Sequence, residues 1–398
     1  MLGSHCVVSV GDGSELGCRG RVVRRIFHIN SYYETNSVHF EALSALDRLG
    51  YSQAVYVPLS KNGKSSYGRE LQVGNATVSL VYCFEKWHRF FWPYKVFRML
   101  QGLRKALNAE SVDLVHAHTV VTNGVLALWI KWRNKIPYVV TLRNTDTDFF
   151  FKRSWFFRVL GWLILKESSA IILLSPVYEK EQLPKYFSLR NFSWLYKKCV
   201  VIPSGVSDDW HLNPGRVRTA RKSTLVFVGK LDANKNLDLV IDALKILQAR
   251  GVALSLNVVG DGPELQRLQD KSCLLPVCFY GRVNDNERLR EILRESDVLI
   301  VPSFRETFGL VYVEAMTQGL PVIYTAGQGF DGFFAEGHVG FSVDPNDAGS
   351  LADRLEDVFD DYQTMSANAL KESAVFSWSK VAERLGEVYQ KGGALAAL

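Results

Sequence analysis

Short apolar runs alternate along most of the chain with segments of helical periodicity. Residues 37–49 show the helical spacing Phe40, Leu43, Leu46 and Leu49, and Gly50 ends that helix. The apolar runs lack polar alternation, which is typical of parallel strands buried on both faces. In the first half we predict strands over 22–29, 53–58, 113–117, 136–142, 170–174 and 200–202, and helices over 37–49 and 123–132.

The second half repeats this alternation more regularly. Two successive sets of strand–helix units indicate two doubly wound α/β domains rather than one barrel. A stretch rich in Pro, Gly, Ser and Asn over 203–221 separates them, so we predict an N-terminal extension over 1–22 and domains over 23–203 and 204–377. The predicted strands cover 224–228, 254–259, 277–280, 298–301 and 321–324, and the predicted helices 237–250, 264–271, 286–295, 311–318 and 351–359.

Composition agrees with two ordinary globular domains. A chain of 398 residues with 47% hydrophobic and 22% charged residues excludes intrinsic disorder and low-complexity fibres. The six cysteines are irregularly spaced, which favours a reducing compartment, and Cys273 and Cys278 lack the second ligand pair of a zinc site. No apolar run reaches the roughly 18 residues that span a bilayer. The first 21 residues lack the continuous apolar core of a secretion signal.

The net charge of +6 conceals a contrast between the halves. Residues 1–200 hold 27 Lys and Arg against 14 Asp and Glu, whereas residues 201–398 hold 20 against 27. Within the basic half, residues 85–107 and 149–166 interleave aromatic side chains with Lys and Arg. Basic aromatic helices suit an anionic membrane surface, although the same pattern fits amphipathic helices packed on their own sheet. We favour membrane contact.

The strongest local motif, PSFRETFGLVYVEAM over 302–316, leaves a predicted strand and enters a helix. The helix start around Gly309 offers backbone amides and the positive end of the helix dipole, which together bind anions. Glu306 lies at the carboxyl end of the strand, where open α/β sheets bind ligands, and Glu314 lies about two helical turns further on. The two acids are candidates for holding hydroxyl groups on both sides of a diphosphate. Solvated surface positions remain the alternative.

Three further loops of the second half carry candidate ligand-binding residues at strand ends. Two lysines after a Gly turn suit a phosphate-bearing ligand, a Gly-Asp-Gly turn follows the next strand, and backbone groups after a third strand can face a planar base. Each loop alone is compatible with a solvated lysine or a simple turn. Because all of these loops lie at one edge of the same predicted sheet, together they favour a ligand site more strongly than each does alone. These residues are Gly229, Lys230, Lys235, Gly260, Arg282 and Val283.

The first half contributes two polar groups at strand ends. His116 and His118 end the strand DLVHA, and we expect them to be splayed by the following loop and to bind a ligand rather than a metal, because no further ligands accompany them. Arg143, Asn144 and Asp146 follow the strand YVVTL. They are candidates for binding an acceptor or for forming a local turn.

These motifs resemble glycosyltransferase family 4, whose members are retaining enzymes of the GT-B fold. The resemblance covers residues 24–389. It implies an α/β fold of two doubly wound, Rossmann-like domains facing a central cleft, with a C-terminal helix over 378–391 crossing back to the first domain. The motifs that carry it are Val115-His116-Ala117-His118, Ile202-Pro203-Ser204-Gly205-Val206, Gly229-Lys230-Leu231 with Lys235, Gly260-Asp261-Gly262, Gly281-Arg282-Val283 and Glu306 with Glu314.

The resemblance also implies roles for the matched residues. The two lysines neutralise the donor diphosphate, the Phe308–Leu310 amides hold phosphate or sugar, and His118 lies by the transferred sugar. Glu306 contacts the sugar hydroxyls and Glu314 the ribose, and neither a metal nor another cofactor is expected. The expected catalytic residues are Glu306, His118, Lys230 and Lys235; the expected donor-binding residues are Gly229, Lys230, Lys235, Gly260, Arg282, Val283, Glu306, Phe308, Gly309, Leu310 and Glu314; the expected acceptor-binding residues are His116, Arg143, Asn144 and Asp146.

Two positions depart from the family pattern. Many members carry a Gly-rich loop after the first strand, but residues 30–37 read NSYYETNS without glycine, which puts the role of that loop in doubt. Lys230 replaces the commoner Arg, which keeps the charge and loses the bidentate fork.

The expected activity is retaining transfer of a sugar from a nucleotide-sugar to a lipid-linked or glycan acceptor in surface polysaccharide assembly. We expect UDP as the carrier, with GDP open, and a cytoplasmic protein on the inner face of the membrane. The alternative is a non-catalytic GT-B subunit that binds nucleotide or a partner enzyme. An oxidoreductase would need a Gly-x-Gly-x-x-Gly turn after a strand, which the sequence lacks, and no motif supports nucleic-acid binding.

Overall fold

The computed structural model describes residues 22–33, 37–61, 72–219 and 223–394. Among them, the first sheet has the strand order β3-β4-β2-β1-β5-β6-β7-β8 and is parallel except for the β3–β4 pair. Its strands are β1 (Arg25–Ile29), β2 (Ser52–Ser60), β3 (Gln72–Val73), β4 (Ala76–Phe84), β5 (Leu114–Ala117), β6 (Tyr138–Leu142), β7 (Ala170–Leu173) and β8 (Cys199–Val201).

The second sheet is parallel throughout its described strands and has the order β11-β10-β9-β12-β13-β14. In each sheet the strand order reverses at one point, next to β1 in the first sheet and next to β9 in the second. Ligands of open α/β sheets bind at the carboxyl ends of the strands beside such a reversal. The strands are β9 (Thr224–Val228), β10 (Ser255–Val259), β11 (Val277–Gly281), β12 (Val298–Ile300), β13 (Val322–Thr325) and β14 (Gly340–Val343).

Helices connect the strands and cover both sheets. Segments Thr145–Phe151 and Tyr178–Gln182 form π-helical turns, and Lys86–Phe90, Ala109–Ser111 and Ser373–Phe376 form 3₁₀ turns. The α-helices are α1 (Ser37–Arg48), α2 (Trp92–Ala106), α3 (Gly124–Asn134), α4 (Trp155–Glu167), α5 (Ser193–Tyr196), α6 (Asp208–Leu212), α7 (Leu237–Ala249), α8 (Leu265–Lys271), α9 (Asn286–Glu295), α10 (Leu310–Thr317), α11 (Ala348–Asp360), α12 (Tyr362–Glu372) and α13 (Trp378–Ala394).

The structure confirms the predicted fold class of two doubly wound domains. Strands β3, β4 and β14 and helices α5, α6 and α12 were not predicted. Strand β4 contains the apolar run Leu80-Val81-Tyr82-Cys83-Phe84, so its sequence carried a strand signal that the prediction overlooked. Strand β14 has only four residues and begins with a glycine. Residues 1–21 of the predicted extension lie outside the described residues, and so do positions 34–36 of the 30–37 loop. The predicted domain boundaries stay predictions.

Helix α13 packs on the first sheet after the chain has completed the second. The Trp378 indole donates a hydrogen bond to the Glu41 carboxylate at 2.6 Å, and the Tyr389 hydroxyl lies 2.7 Å from Nδ1 of His116. Apolar residues of α13 share one buried cluster with residues of β1, β5 and β6. The last helix therefore forms part of the core of the first domain.

The chain crosses between the sheets twice, and the two crossings touch. The Val206 amide donates to the Phe376 carbonyl at 2.8 Å, and Val206 forms a parallel bridge with Ser377. A Cβ at Gly205 would lie 2.4 Å from the Trp378 ring, so a side chain there would force the crossings apart. None of the described helices combines the length and apolarity needed to span a bilayer.

We expect Tyr389→Phe to destabilise the protein by about 1–3 kcal/mol, because it leaves a buried nitrogen of His116 without its partner. Denaturant unfolding of wild type and variant measures the change. The matched control is Tyr82→Phe, whose side chain is 45% exposed and which should change stability by less than about 0.5 kcal/mol. Equal effects of the two variants would show that the His116 contact does not stabilise the fold.

Candidate active site

A cavity of about 480 Å³, here called the cleft cavity, lies between the two sheets. Its size is within the range of about 300–1,000 Å³ typical of ligand sites. Residues at the carboxyl ends of strands from both domains line it, which matches the sequence expectation for open α/β sheets. The lining residues are Val38, His39, Arg143, Leu174, Ser204, Val228, Gly229, Lys235, Glu306, Thr307, Phe308, Gly309, Leu310, Val311 and Glu314.

Glu306 and Lys235 form an ion pair in the wall of this cavity. The Lys235 Nζ lies 2.6 Å from Oε2 of Glu306, and the two side chains are 24% and 15% exposed. The backbone of Glu306 is fixed by two hydrogen bonds to residues 328–329. The Glu306 amide donates to Oε1 of Gln328 at 3.0 Å, and the Glu306 carbonyl accepts the Gly329 amide at 3.1 Å. A carboxylate and an ammonium group are thus fixed beside each other in the cleft.

Helix α10 begins at the cavity wall. Gly309 caps it with a φ of 85°, a left-handed conformation that favours glycine, and a Cβ there would lie 2.3 Å from the Tyr312 ring. The Tyr312 hydroxyl donates to the Val301 carbonyl at 2.6 Å, which ties the helix to the end of the preceding strand. The first-turn amides of a helix have no partner within it, so Phe308 to Val311 present an anion-binding end to the cavity they line.

A neighbouring cavity of about 490 Å³, the loop cavity, lies over the ends of β9, β10 and β11. Lys230 reaches it, with its Nζ 3.2 Å from Oδ2 of Asp232 and its side chain 65% exposed. Gly260 allows two loops to meet, because a Cβ there would lie 1.8 Å from the Gly229 carbonyl oxygen. Both cavities are lined by Val228 and Gly229, so they adjoin at the end of β9. The loop cavity is lined by Val228, Gly229, Lys230, Val259, Gly260, Asp261, Gly262, Arg282, Val283 and Leu289.

Glu314 faces the same cleft cavity as Glu306 from deeper in helix α10. Burial, together with the nearby Glu41 carboxylate of the first domain, raises the pKa of Glu314 to about 7. The carboxyl group is therefore close to half-protonated at neutral pH and can donate as well as accept a hydrogen bond.

His118 belongs to a buried group of imidazoles under the cleft. Its Nε2 lies 3.1 Å from Nδ1 of His28, its ring stacks on His116 with centroids 4.1 Å apart, and its ring edge contacts His39, which lines the cleft cavity. The expectation that the loop would splay the two histidines was wrong, because both rings pack on one side of the sheet. Burial lowers the pKa of His28 to about 4 and the pKa values of His116 and His118 well below their usual range, so all three are neutral.

Three of these imidazoles are close enough to share a metal ion. One ring nitrogen from each of His28, His116 and His118 lies within 4.8 Å of the others. Both nitrogens of His116 already hydrogen-bond, to the Tyr389 hydroxyl at 2.7 Å and the Thr141 hydroxyl at 2.8 Å. The expectation that no metal is needed stays a prediction, and one of the two hydrogen bonds of His116 would have to break for an ion to bind.

The segment after β6 supports the cleft in three ways. Asp146 is fully buried and its carboxylate accepts the amides of Val120, Val121 and Arg143 at 2.9–3.1 Å, while burial raises its pKa to about 6. The Arg143 Nε donates to the His118 carbonyl at 2.9 Å. Asn144 reaches the second domain, where its amide donates to the Thr307 hydroxyl at 3.0 Å.

The structure thus brings most of the expected site residues to the two adjoining cavities. Four expected site residues line neither cavity. His116, His118 and Asp146 are buried beneath the cleft, where the polar atoms of His116 and Asp146 hydrogen-bond to other protein groups, and Asn144 lines a separate cavity. Sequence reasoning missed His39 and Ser204, which line the cleft cavity. Ser204 lies in the Ile202–Val206 motif, so its position carried a signal, whereas His39 lies inside a predicted helix and carried none.

Comparison with protein families gives two matches that together span most of the chain. A family model described as "Glycosyltransferase Family 4" matches residues 37–210, and one described as "Glycosyl transferases group 1" matches residues 214–374. The division between the two matches falls at the crossing between the sheets.

Individual relatives and solved structures agree with these matches. An uncharacterized glycosyltransferase of Methanocaldococcus jannaschii is 26% identical over 294 residues, covering 72% of this chain and 78% of its own. Glycogen synthase of Mycobacterium tuberculosis is 27% identical over 295 residues, covering 70% and 68%. Sucrose-phosphate synthase of Thermosynechococcus elongatus has a TM-score of 0.69 at 19% identity, covering 92% and 98%. Anabaena HepE in complex with UDP has a TM-score of 0.67 at 18% identity, covering 94% and 100%, and the two structures show the shared fold.

The raised pKa of Glu314 predicts a pH-dependent effect of Glu314→Gln. The ordinary pKa of a glutamate side chain is 4.5. Between pH 4.5 and about 7, Glu314 therefore loses its proton in the unfolded chain but keeps it in the folded protein. The stability of the folded protein falls as the pH rises through this window. Glutamine stays neutral. We therefore expect the thermal midpoint of the variant to exceed that of wild type by about 2–4 °C at pH 8, with the difference vanishing near pH 4.5.

Thermal unfolding from pH 4.5 to 8 measures this difference, with Glu110→Gln as the control at an exposed acid. A gap between Glu314→Gln and wild type that is constant across pH would contradict the raised pKa.

Proposed function

Because this chain belongs to the group 1 glycosyltransferases, enzymes of the GT-B fold, we propose that it transfers a sugar from a UDP-sugar to a lipid-linked acceptor in surface polysaccharide assembly. The observation that carries the proposal is the Lys235–Glu306 pair, fixed in the cleft cavity beside the start of helix α10. In such a site the Lys235 ammonium group can bind a negative phosphate, and the adjacent Glu306 carboxylate can accept hydrogen bonds from sugar hydroxyls.

The donor diphosphate lies between the two lysines and the first turn of α10. Lys230 pairs with Asp232 at 3.2 Å and Lys235 with Glu306 at 2.6 Å, so a diphosphate competes with both carboxylates for the ammonium groups. Release of Glu306 from Lys235 then leaves its oxygens for the hydroxyl groups of the sugar. Binding of the donor and preparation of the sugar contact are coupled through this exchange.

The nucleoside occupies the remaining parts of the two cavities. The base lies in the loop cavity near Arg282 and Val283, and the ribose hydroxyls reach Glu314. Support for UDP comes from neighbours of the same fold, since Anabaena HepE was solved with UDP and an Escherichia coli trehalose-6-phosphate protein with UDP-2-fluoro glucose.

Catalysis depends on the departing nucleotide diphosphate, which gains negative charge as the bond to the sugar breaks. Lys230, Lys235 and the α10 amides stabilise that charge, and groups placed in advance in a water-poor cleft are worth more than in bulk water. His118 is neutral and lies under the transferred sugar, where its carbonyl is held by Arg143. The transfer retains the configuration at the sugar carbon, and His116 and Asp146 act as supports of this site rather than as acceptor ligands.

The acceptor side of the first domain exposes an unusual number of aromatic side chains. We call this the aromatic-basic surface; it joins the start of α2 to the start of α4 through ring contacts of Trp92 with Phe156 and Phe157. Its exposed apolar residues are Trp87, Phe90, Phe91, Tyr94, Phe97, Trp155, Phe156 and Val159, which are 36–78% exposed.

Basic residues are interleaved with these aromatic residues in the sequence. Residues 86–106 hold six Lys and Arg and residues 149–166 hold four, and neither segment contains Asp or Glu. Aromatic rings bounded by cations suit a membrane interface with anionic lipids. The protein is therefore peripheral to the inner face of the membrane, where a lipid-linked acceptor is delivered.

We expect Glu306→Gln to lower sugar transfer or donor hydrolysis by about 10²–10³-fold, the usual effect of removing one transition-state contact. A thermal-shift panel of UDP- and GDP-sugars first identifies the donor, since a specific ligand raises the unfolding temperature with its occupancy. Turnover of that donor is then compared in wild type, Glu306→Gln and the exposed-acid control Glu295→Gln.

Turnover that survives Glu306→Gln would refute the assigned role. Binding of a nucleotide-sugar without any turnover would instead favour a non-catalytic GT-B subunit. The configuration of the product, read from its anomeric proton coupling, tests retention separately.

We expect the double variant Phe90→Ser, Trp155→Ser to bind vesicles containing anionic lipid at least tenfold more weakly than wild type, because both residues are over 70% exposed at 78% and 73%. Co-sedimentation at moderate ionic strength measures the binding. The control is Leu274→Ser, which removes an 89% exposed apolar side chain from the second domain. A wild-type protein that stays in the supernatant would contradict the membrane assignment.

A further inference from the structure

A third cavity, here called the side cavity, shares Glu306 with the donor site but is otherwise lined by residues that the donor site does not use. It has a volume of about 230 Å³. Its walls come from both domains, with residues 144–152 and 177–185 on one side and residues 304–306 and 327–329 on the other. A volume below the roughly 300–1,000 Å³ of a whole-ligand site suits one end of a larger molecule.

Positive charge predominates among the residues that line this cavity. Lys152, Lys185 and Arg305 are exposed to it, and the acids in its lining are Asp148 and Glu306. Glu306 is already paired with Lys235, which does not line the side cavity. Three cations thus face one further acid, an arrangement that attracts a group with more than one negative charge.

The three cations are not committed to ion pairs with other described residues. The Nζ of Lys185 makes a 3.5 Å contact with the Gln182 amide oxygen, and the ion pairs among the described residues include none of the three cations. Polar neutral groups complete the wall, since Asn144 and Gln328 lie at the domain junction. A phosphate group can therefore gain charge-assisted hydrogen bonds without first breaking ion pairs.

The side cavity lies next to the aromatic-basic surface. The wall segment that carries Asp148 and Lys152 also carries Phe149, which is 50% exposed, and Arg153, whose guanidinium lies 5.5 Å from the Phe149 ring centre. Helix α4 with Trp155 follows directly. A molecule anchored by an apolar chain at that surface can place its charged head in the side cavity and its reacting hydroxyl near Glu306.

From this arrangement we infer that the side cavity is an acceptor subsite for a phosphate or diphosphate group. The inference rests on the proposed function, because it assigns the third cavity to the acceptor of that reaction. The same chemistry is present in a lipid diphosphate and in a soluble phosphorylated sugar, and an apolar chain is what separates the two. The adjacent aromatic-basic surface favours the lipid.

Binding of short probes tests the subsite in the full-length protein. Isothermal titration with farnesyl diphosphate, inorganic pyrophosphate and farnesol is carried out at saturating UDP, which occupies the donor phosphate site. We expect farnesyl diphosphate to bind, farnesol to bind at least tenfold more weakly, and Lys152→Glu, Lys185→Glu and Arg305→Glu each to weaken farnesyl diphosphate at least fivefold. The matched control is Arg190→Glu, an exposed cation of the same domain that does not line the cavity.

The outcomes separate this inference from the proposed function. Pyrophosphate that binds as tightly as farnesyl diphosphate, with the same loss in the three variants, supports the subsite and assigns it to a soluble phosphorylated acceptor. Charge reversal at all three positions that leaves probe binding unchanged overturns the subsite. UDP affinity reports on the donor site alone. We expect Lys230→Glu to lower UDP affinity without changing probe affinity. Unchanged UDP affinity in this variant would count against the proposed function and not against the side cavity.

Discussion

The double crossing between the two sheets is the constraint on which the rest of the structure depends. Val206 pairs with the 376–377 backbone, and Trp378 fills the space that Gly205 leaves open. Since α13 then packs into the core of the first domain, both crossings are anchored on the same side of the molecule. Parallel strands present all their carboxyl ends at one edge, and this anchoring sets those two edges against each other. The cleft is a consequence of that geometry.

Local placement of charge matters more for the site than the sign of either domain. The second half of the chain carries an excess of acids, yet the two lysines beside its cavities follow one strand end and are five positions apart. Each is held by a carboxylate, Asp232 or Glu306, which offsets the cost of keeping an ammonium group in a partly closed cleft. The same carboxylates limit binding to ligands whose negative charge is sufficient to replace them. A diphosphate meets this condition and a neutral sugar alone does not.

The sequence was sufficient to predict the parts of the site that follow directly from strand ends. Glu306, Gly309 and Glu314 could be placed because a strand, a turn and a helix follow one another within 20 residues. The environment of a side chain was not predictable in this way. His116 and Asp146 follow strands as expected, but their polar atoms are taken up by Tyr389 and by the 120–121 backbone, partners that are distant in sequence or lie in another loop. Strand β4 is a different case, because its apolar run over 80–84 was a local signal that the prediction overlooked.

The side cavity was even less predictable from the sequence. Lys152, Lys185 and Arg305 lie in three segments without a shared motif, and only the packing of the two domains brings them to the same cavity. The contact of Asn144 with Thr307 joins the loop after β6 to the start of α10 at the same domain junction. This junction separates the side cavity from the cleft cavity while Glu306 borders both. A carboxylate shared by two cavities can contact a donor sugar from one and an approaching hydroxyl from the other, which is the arrangement that transfer between two bound molecules requires.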